Sequence, residues 1–491
     1  MRERTIVCLL SLVAAVHVFV FSAAFPFFNN VDEYAHFDLV LKYSQGQIPR
    51  QLEPLSKETT SYIAVYDALE IYLWPSNNCP TEQTPPLWTQ PMEKAAPLLV
   101  SRQKGWEKVI NHEAWQPPLY YALAALWWHG GRWLGLDGGS LLLWVRCLDI
   151  LLVVALVWLG HITARILFPE NLFLRIGVPA LLATMPQTTF YSISNDVLSP
   201  LCYGVSFILL IRWLQVDVPG VRLGTCVGLA LAATDLTKIS NLPLLTVSAG
   251  IVLFKSYRLA AAGKLRAALP MLAALFFCAV LPMAAWAVWC KYNFGDFTGA
   301  GAGAHFFGLT HKPFSEWWHH PIFTPPGLWT FVSGLTATFW RGEILWHRVP
   351  LALPTVDWFY VGSSVSLVIA ALVALLPRFK QASGRQRQAL TLAFLNVAVA
   401  VAFLGFLSVI CDFHNNFNPS REHPYFTLGR LMLGALIPFL LLYLYGLDRA
   451  LNRLSLQTKF VALTLLILFM LVSEITADWA VFFSRYNWFH M

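Results

Sequence analysis

The sequence predicts an all-α polytopic membrane protein, a single integral membrane domain over residues 1–491 with about 11 transmembrane helices and an upper bound of about 13. Of the 491 residues, 57% are hydrophobic and only 12% are charged, whereas a soluble protein carries about 25% charged residues. Apolar runs recur from end to end, and 20 Trp and 16 Tyr suit the aromatic belts at two membrane interfaces. These observations together exclude a soluble globular protein.

The apolar runs define the individual spans. The first run, 6–24, follows Arg2 and Arg4, and we interpret it as a retained signal-anchor, although Ser22-Ala23-Ala24 also resembles the end of a cleavable signal peptide. The other candidate spans are 141–160, 172–190, 197–214, 223–236, 240–254, 268–290, 356–377, 389–411, 427–447 and 459–478.

Two long loops interrupt the spans, and both are expected to carry interfacial helices. The loop 25–116 holds 11 of the 27 acidic residues and includes an amphipathic piece, Tyr62 to Trp74, predicted to be a helix lying on the membrane. The loop 291–355 is rich in His, Trp, Pro and Gly and lacks a regular pattern. Long irregular loops in compact proteins are usually functional or disordered, and the aromatic content here favours function.

Charge predicts which end of each span faces the cytoplasm. Three linkers are net positive, and the positive-inside rule places them there; they lie within 255–266, 378–387 and 449–459. Counting crossings from them puts the N-terminus inside, and both long loops and the C-terminus outside. The segment Leu119 to Leu136 then cannot be a simple single crossing, so we expect it to be re-entrant or to lie in the outer interface.

Composition bounds the compartment and the partners. The net charge of +7 is explained by the cytoplasmic linkers and requires no nucleic acid. The eight Cys are scattered without a CxxC pair, so neither a disulfide framework nor a zinc site is predicted. Sparse Lys with abundant Leu, Ala and Trp favours a bacterial inner (plasma) membrane.

The most informative stretch is Phe25 to Phe37, FPFFNNVDEYAHF, directly after the first span. In a helix, Asp32 and His36 are i,i+4 neighbours on one face, and Glu33 points obliquely away. Ionisable groups at a bilayer edge are costly unless they are solvated or functional. A solvated juxtamembrane turn is therefore the alternative to a functional site.

Further polar residues are predicted on the same outer side. Taken singly, Asp196 is best interpreted as a helix N-cap, and Lys238 and Arg430 as basic residues whose side chains extend to lipid headgroups. The loop histidines, taken singly, are best interpreted as solvated. Their joint occurrence favours an outward-facing active site. The residues are His112, Glu113, Asn195, Asp196, Lys238, His305, His311, Glu316 and Arg430.

Several short motifs resemble those of polytopic glycosyltransferases of the C superfold, which use lipid-linked sugars. The nearest likeness is to an uncharacterised bacterial branch with a P-x-x-DE-x-x-H motif, and other segments are similar to protein mannosyltransferases and aminoarabinose transferases. Here Pro26 lies further from the DE pair, and Leu431 stands where Tyr is usual. The segments are Pro26 to Phe37, Gln116 to Leu126, Met185 to Pro200, Asp235 to Pro243 and Tyr425 to Phe439.

The resemblance implies transfer of a sugar from a polyprenyl-phosphate-linked donor to a glycan, lipid or protein acceptor at the outer face, among membrane lipids. Asp32 is the expected general base and Glu33 the second catalytic candidate. Arg430 and Lys238 are expected to bind the donor phosphate. The residues expected to orient the acceptor or hold a divalent metal cation are His36, His112, Glu113 and Asp196, and Trp317, Trp318 and Trp340 offer aromatic faces.

Three other classes compete with this interpretation. A transporter or flippase often shows internal repeats and midplane charges, and we find neither pattern here. A polymerase or ligase of lipid-linked glycans would carry its essential charged groups in a dominant late outer loop, whereas the acidic cluster here lies in the first loop. A purely structural scaffold would not need this much polar surface outside.

Overall fold

The computed structural model describes residues 3–68, 85–347, 349–376, 383–414, 416 and 419–491, and it is mostly helical. In these ranges the helices are α1 Glu3–Ala24, α2 Glu33–Ser44, α3 Lys57–Tyr66, α4 Met92–Trp106, α5 Leu119–Trp133, α6 Gly138–Arg146, α7 Leu148–Leu167, α8 Leu172–Ala183, α9 Ser199–Gln215, α10 Val221–Asp235, α11 Leu242–Ala261, α12 Leu265–Phe294, α13 Ala300–Phe306, α14 Phe314–Trp317, α15 Pro325–Arg341, α16 Pro354–Leu375, α17 Gly384–Ile410, α18 Leu436–Ala450, α19 Leu456–Ala477 and α20 Trp479–Phe482.

The strands are short and peripheral. They are β1 Thr310–His311, β2 Leu345–Trp346, β3 Val349–Pro350 and β4 Cys411–Asp412. Strand β1 pairs antiparallel with β4, so that Thr310 faces Asp412, and β2 pairs antiparallel with β3. The first pair ties the second long loop to the end of α17.

Nine stretches within the described residues are long and apolar enough to cross a membrane. They are Glu3–Ala24, Gly138–Leu167, Asn195–Gln215, Ile239–Ala261, Leu265–Phe294, Pro354–Leu375, Gly384–Ile410, Gly429–Ala450 and Leu456–Ala477. The other two predicted spans, 172–190 and 223–236, contain only the 12-residue α8 and the 15-residue α10. Helices of this length extend about 18 and 22 Å, against about 30 Å of hydrocarbon core.

The short helix α10 packs closely against the longer helix α12. A Cβ atom on Gly224 would lie 2.4 Å from the carbonyl oxygen of Met271, and one on Gly228 would lie 2.6 Å from that of Leu275. The two glycines are four residues apart, the spacing that lets membrane helices approach backbone to backbone. Helix α10 is therefore held tightly against α12.

Both long loops lie at the same end of the bundle, where Gly303 of the second loop packs on Trp115 of the first. The predicted interfacial helix Tyr62 to Trp74 begins within α3, and its residues from 69 onward lie outside the described residues. The second loop is more regular than the sequence pattern suggested, because it contains the 17-residue α15. Leu119–Trp133 is a 15-residue helix and is not among the candidate spans, and its re-entrant or interfacial placement stays a prediction.

The stretch Gly429–Ala450 forms the centre of the bundle, and 89% of its most apolar part is buried. It begins with a 3-10 helix, Gly429–Ala435, and continues as α18. Helices α8, α9, α16 and α17 surround it. Arg430 is thus carried on the most enclosed of the nine candidate spans, at the end where the two long loops lie.

Candidate active site

Asp32 occupies a strained turn between α1 and α2. Its φ of 60° lies in the left-handed region, as does the φ of 62° at Phe28. Backbone strain of this kind costs about 1–3 kcal/mol and tends to occur at functional sites, although Asp tolerates the conformation better than most residues. The turn places Asp32 at the N-terminal end of α2.

Glu33, the neighbour of Asp32, holds that turn in place. Its two carboxylate oxygens accept hydrogen bonds from Arg146 Nε at 2.7 Å and from Arg146 Nη2 at 2.6 Å, and both side chains are fully buried. One oxygen also accepts the Phe28 backbone N–H at 2.9 Å and the other accepts that of Ile193 at 3.0 Å. The structure therefore places Glu33 in a fully buried pair with Arg146, pointing away from Asp32 as expected, and its role as the second catalytic candidate stays a prediction.

Arg146 completes the anchor from the other side. Its guanidinium donates to the carbonyl oxygens of Ser22, Phe25 and Pro26, so that it closes the end of α1. The pair with Glu33 joins residues 113 positions apart in the chain. Arg146 binds the carbonyl oxygens before the turn, and Glu33 binds the Phe28 N–H within it. The pair therefore fixes the backbone from which the Asp32 side chain projects.

The Asp32 carboxylate itself is bound by two donors. Oδ2 accepts from Arg430 Nη2 at 2.9 Å, and Oδ1 lies 3.1 Å from His112 Nε2. Burial raises the pKa of Asp32, but the charge of Arg430 and the hydrogen bond from His112 outweigh it and hold that pKa well below its usual range. Asp32 is therefore a carboxylate that is stably ionised in the resting structure.

Arg430 connects Asp32 with two further carboxylates. Its Nη1 lies 3.6 Å from Asp196 Oδ2, and its Nε lies 3.4 Å from Glu343 Oε2. Lys238 Nζ reaches the other oxygen of Asp196 at 2.5 Å. Asp196 and Lys238 thus pair with each other, and the N-cap of this turn is Ser194, not Asp196. Neither Lys238 nor Arg430 extends toward solvent.

A glycine brings Arg430 into this position. A Cβ atom on Gly429 would lie only 2.0 Å from the backbone nitrogen of Phe339 in α15. The Gly429 N–H donates to Thr338 Oγ1 at 3.0 Å, which links the same two segments. The backbone before Arg430 consequently rests directly on α15, and any side chain at position 429 would push the two apart.

The end of the first loop adds His112 and Glu113 to the cluster. His112 Nε2 lies 3.6 Å from Glu113 Oε1, and the other Glu113 oxygen accepts from Gln116 Nε2 at 2.5 Å. Burial lowers the pKa of His112, but the hydrogen bond to Asp32 and the charge of Glu113 outweigh it, so that pKa is raised. Asn195 in turn donates to Gln116 at 3.1 Å, so the network extends to the turn that holds Asp196.

His36 lies behind this network and does not face solvent. It is fully buried, and its Nδ1 lies 2.7 Å from the Tyr121 hydroxyl. Its Nε2 is buried and has no hydrogen-bond partner among the described residues. Burial lowers the pKa of His36 to about 4, with Lys238 acting in the same direction, so His36 is neutral at pH 7.

Three of the predicted residues have a geometry compatible with a divalent cation. One ligand atom from each of Asp32, His112 and Glu113 lies within 4.8 Å of the others. Two carboxylates and an imidazole form a donor set that suits several divalent metals. The local charge is compatible too, because among the described residues the four carboxylates of Asp32, Glu113, Asp196 and Glu343 meet two permanent cations, Arg430 and Lys238.

Comparison with known protein families identifies the family of this chain. Residues 16–416 match the family described as "Predicted membrane protein (DUF2142)". The chain belongs to this family. The match covers most of the chain, and it agrees with the series of long apolar helices. A comparison with curated proteins finds no match.

Aromatic side chains of the second loop border the site in this DUF2142 chain. The rings of Phe306 and Phe307 lie 5.9 and 5.1 Å from the His112 ring, and both side chains are more than 40% exposed. Of the aromatic residues expected to face a substrate, Trp318 is exposed, but Trp340 is completely buried and stacks on Tyr360. The expectation for Trp340 was therefore wrong, because a buried ring offers no free face.

The remaining predicted outer residues divide into two groups. The structure joins Asp32, His112, Glu113, Asp196, Lys238 and Arg430 in one network, with Asn195 at its edge. His305, His311 and Glu316 are exposed side chains of the second loop, and His311 lies in β1.

Sequence reasoning overlooked Arg146, Glu343 and the Phe306–Phe307 pair. Arg146 is a basic residue inside an apolar stretch, a recognisable signal of function or pairing in a membrane protein. Glu343 lies two residues after the end of α15, where an acid near the edge of an apolar helix could have been noticed. The phenylalanines give no comparable signal, because the loop contains many aromatic residues.

Proposed function

We propose that this protein is a membrane glycosyltransferase that moves a sugar from a polyprenyl-phosphate-linked donor to an acceptor hydroxyl at the outer face of the membrane. The observation that carries the proposal is the ion pair of Asp32 with Arg430, a carboxylate in direct contact with a guanidinium of the kind that binds phosphates. Among the clustered ionic side chains of Asp32, His112, Glu113, Asp196, Lys238 and Arg430, that of Asp32 is the most exposed, at 21%. An acceptor would therefore reach Asp32 first.

The proposed reaction assigns each group one role. Asp32 takes the proton from the acceptor hydroxyl while the acceptor oxygen bonds to the anomeric carbon of the sugar. The bond between that carbon and the phosphate oxygen breaks, and its electron pair leaves with the lipid phosphate. Arg430 and Lys238 stabilise the negative charge that develops on the phosphate.

The resting ion pair also suits this sequence of events. Asp32 is a weak base as long as Arg430 neutralises it, because its pKa lies well below the usual range. A donor phosphate that attracts the Arg430 guanidinium would remove this influence and raise the basicity of Asp32. Binding of the donor would thus prepare the base, which supports an ordered reaction in which the donor binds before the acceptor reacts.

An apolar cavity whose lining includes Met432, two residues after Arg430, supports a lipid-linked donor. The cavity has a volume of about 220 Å³ and is lined by side chains of α15, α16, α17 and α18, with Met432 at its wall. Met432 follows Arg430 by two residues, so an isoprenoid chain in this cavity could carry a phosphate at the guanidinium. Phe339, Val397 and Phe439 provide hydrocarbon surface for that chain.

A divalent cation is the second element of the proposal. Asp32, His112 and Glu113 would hold it, and it would supply positive charge beside the donor phosphate. Lower labelling after treatment with a chelator, restored by adding back Mg²⁺ or Mn²⁺, would support this element. Labelling unaffected by the chelator would leave Arg430 and Lys238 as the charge-stabilising groups.

Asp32→Asn is expected to lower sugar transfer by at least about 10²-fold, because an amide cannot accept the proton. The measurement is incorporation of radiolabelled sugar from a polyprenyl-phosphate donor pool into membrane or extracted acceptors, at equal protein levels. The chemistry of the labelled product would also identify the acceptor.

Asp412→Asn is the matched control for this experiment. Asp412 is also paired with an arginine, Arg421 at 3.2 Å, and its side chain is 27% exposed, close to the value for Asp32. Transfer by this variant should equal that of the wild type. Equal labelling in wild type, Asp32→Asn and empty membranes would reject the mechanism and favour a transporter of a lipid-linked or small polar substrate.

Gly429→Ala should reduce transfer without removing any charged group. The added methyl would meet the Phe339 backbone at 2.0 Å, so the segment must move and Arg430 must shift relative to Asp32. A displacement of about 1 Å in an active site can cost about 10²-fold in rate. Gly362→Ala is the control, because its Cβ would meet nothing within 4 Å; a loss of equal size there would contradict the positional explanation.

A further inference from the structure

A cavity of about 700 Å³ lies at the end of the bundle opposite Asp32. It is formed where α9 ends, α11 ends and α17 begins, and Leu214 of α9 is part of its wall. Helix α9 starts immediately after the turn that holds Asp196 and has 17 residues, which corresponds to a length of about 26 Å. The length of a spanning helix therefore separates this cavity from the candidate active site.

The walls of the cavity are apolar and open sideways. Ile251, Phe254 and Leu395 line it, and the Phe254 and Leu395 side chains are 56% and 44% exposed. A Cβ atom added to Gly250 on the same wall would meet nothing within 4 Å, so the space beside α11 is open. Exposed apolar side chains on spanning helices are expected to face lipid.

The cavity also carries positive charge at its rim. Lys255, Arg258 and Arg387 line it, whereas none of the described lining residues is acidic. Lys255 is fixed by donating to the carbonyl oxygens of Leu214 at 3.3 Å and Val216 at 2.5 Å. Arg387 also lines the cavity, and its Nε has no hydrogen-bond partner among the described residues.

Two further features affect the electrostatic potential at the rim of the cavity. Helix α17 begins at Gly384, which also lines the cavity, so the positive end of a helix dipole adds to the three cations. Asp217 lies near enough to influence Lys255, but it does not line the cavity. Arg258 and Arg387 consequently face the cavity with no carboxylate among its described lining residues.

We propose that this cavity binds one anionic glycerophospholipid of the leaflet at that end, with its phosphate on Arg258 and Arg387 and its acyl chains along Ile251, Phe254 and Leu395. Basic pockets between spanning helices are known to bind anionic headgroups. The volume falls within the range of about 300–1,000 Å³ that is typical of small-molecule sites. The cationic linkers that the positive-inside rule assigns to the cytoplasm flank this cavity, so the lipid belongs to the cytoplasmic leaflet. The proposal does not depend on glycosyl transfer.

Native mass spectrometry of the full chain in a neutral detergent tests the proposal. Titration with dioleoyl phosphatidylglycerol should give a complex with one bound lipid, whereas dioleoyl phosphatidylcholine and glycerol 3-phosphate should bind at least tenfold more weakly. The double variant Arg258→Gln with Arg387→Gln should weaken phosphatidylglycerol binding by about 30-fold, because each lost cation lowers the affinity by about fivefold and the two factors multiply. Gly250→Leu should abolish the complex while retaining all three cations.

The control removes two positive charges elsewhere on the exposed surface near this end. Arg222→Gln with Arg453→Gln changes the net charge equally but leaves the cavity intact, and this variant should bind phosphatidylglycerol like the wild type. Size-exclusion chromatography confirms that each variant is folded before titration. Equal binding of phosphatidylcholine, equal binding of glycerol 3-phosphate, an equal loss in the control, or unchanged binding by Gly250→Leu would each overturn the proposal.

Discussion

Arg146→Gln is expected to lower the free energy of unfolding by about 3–5 kcal/mol, because it leaves the Glu33 carboxylate buried and without its cation. In the native structure both side chains are fully buried, and Arg146 also donates to three carbonyl oxygens at the end of α1. Unfolding of the purified chain in mixtures of mild detergent and SDS, followed by tryptophan fluorescence, measures this change.

Two comparisons test whether the buried charge is the cause. Arg421→Gln removes an exposed arginine that pairs with Asp412, and it should cost less than about 1 kcal/mol. Arg146→Met combined with Glu33→Gln should recover part of the lost stability, because no buried charge then remains. If the double variant were less stable than Arg146→Gln, the explanation based on an unpaired carboxylate would be wrong.

Arg430→Gln is expected to reduce sugar transfer by about 10³-fold or more, the effect seen when a charge-stabilising arginine is removed from a phosphoryl-transfer site. The substitution also leaves Asp32, Asp196 and Glu343 close together without the guanidinium they share. Kinetics of labelled-sugar transfer at equal protein levels measure the effect. Arg430→Lys should retain more activity than Arg430→Gln, because it keeps a charge but loses the planar fork.

Arg449→Gln is the matched control for Arg430. Arg449 lies near the opposite end of the same central segment and pairs with Asp448 at 2.7 Å. Its loss should leave transfer unchanged. Transfer lowered equally by both substitutions would show that the effect of Arg430 comes from damage to the central segment, not from its position beside Asp32.

Arg430→Gln should also change how stability depends on pH. In the wild type the pKa of Asp32 is lowered, so Asp32 contributes stability above its unfolded-state pKa, and this contribution is lost as the pH falls through the folded-state value. Without Arg430, the largest influence that lowers the pKa of Asp32 is lost. Burial then raises that pKa. The pKa of Glu343, which burial already raises against the charge of Arg430, rises further. Because protonation of carboxylates with raised folded-state pKa values favours the folded state, the stability difference between Arg430→Gln and the wild type should shrink as the pH falls.

Much of the site followed from sequence position alone. Asp32, His112, Asp196, Lys238 and Arg430 were each predicted on the outer side, His112 at the end of the first loop and the others next to spans, and the structure brings all five into one network. The common cause is topology, because residues at the same end of neighbouring spans must lie close together in a helical bundle. The number of spans was less predictable, since α8 and α10 are short helices whose packing, not length, keeps them in the bundle.

The sequence by itself determined that the chain is a helical membrane protein with its polar motifs at one end, because long apolar runs and cationic linkers restrict how it can cross a bilayer. Only the tertiary structure distinguished the adjacent acids Asp32 and Glu33. Asp32 reaches Arg430, 398 residues further along the chain, whereas Glu33 reaches Arg146 and becomes part of the buried support. The backbone turns between consecutive residues, so their side chains enter different surroundings, and those surroundings come from distant segments that only folding brings together.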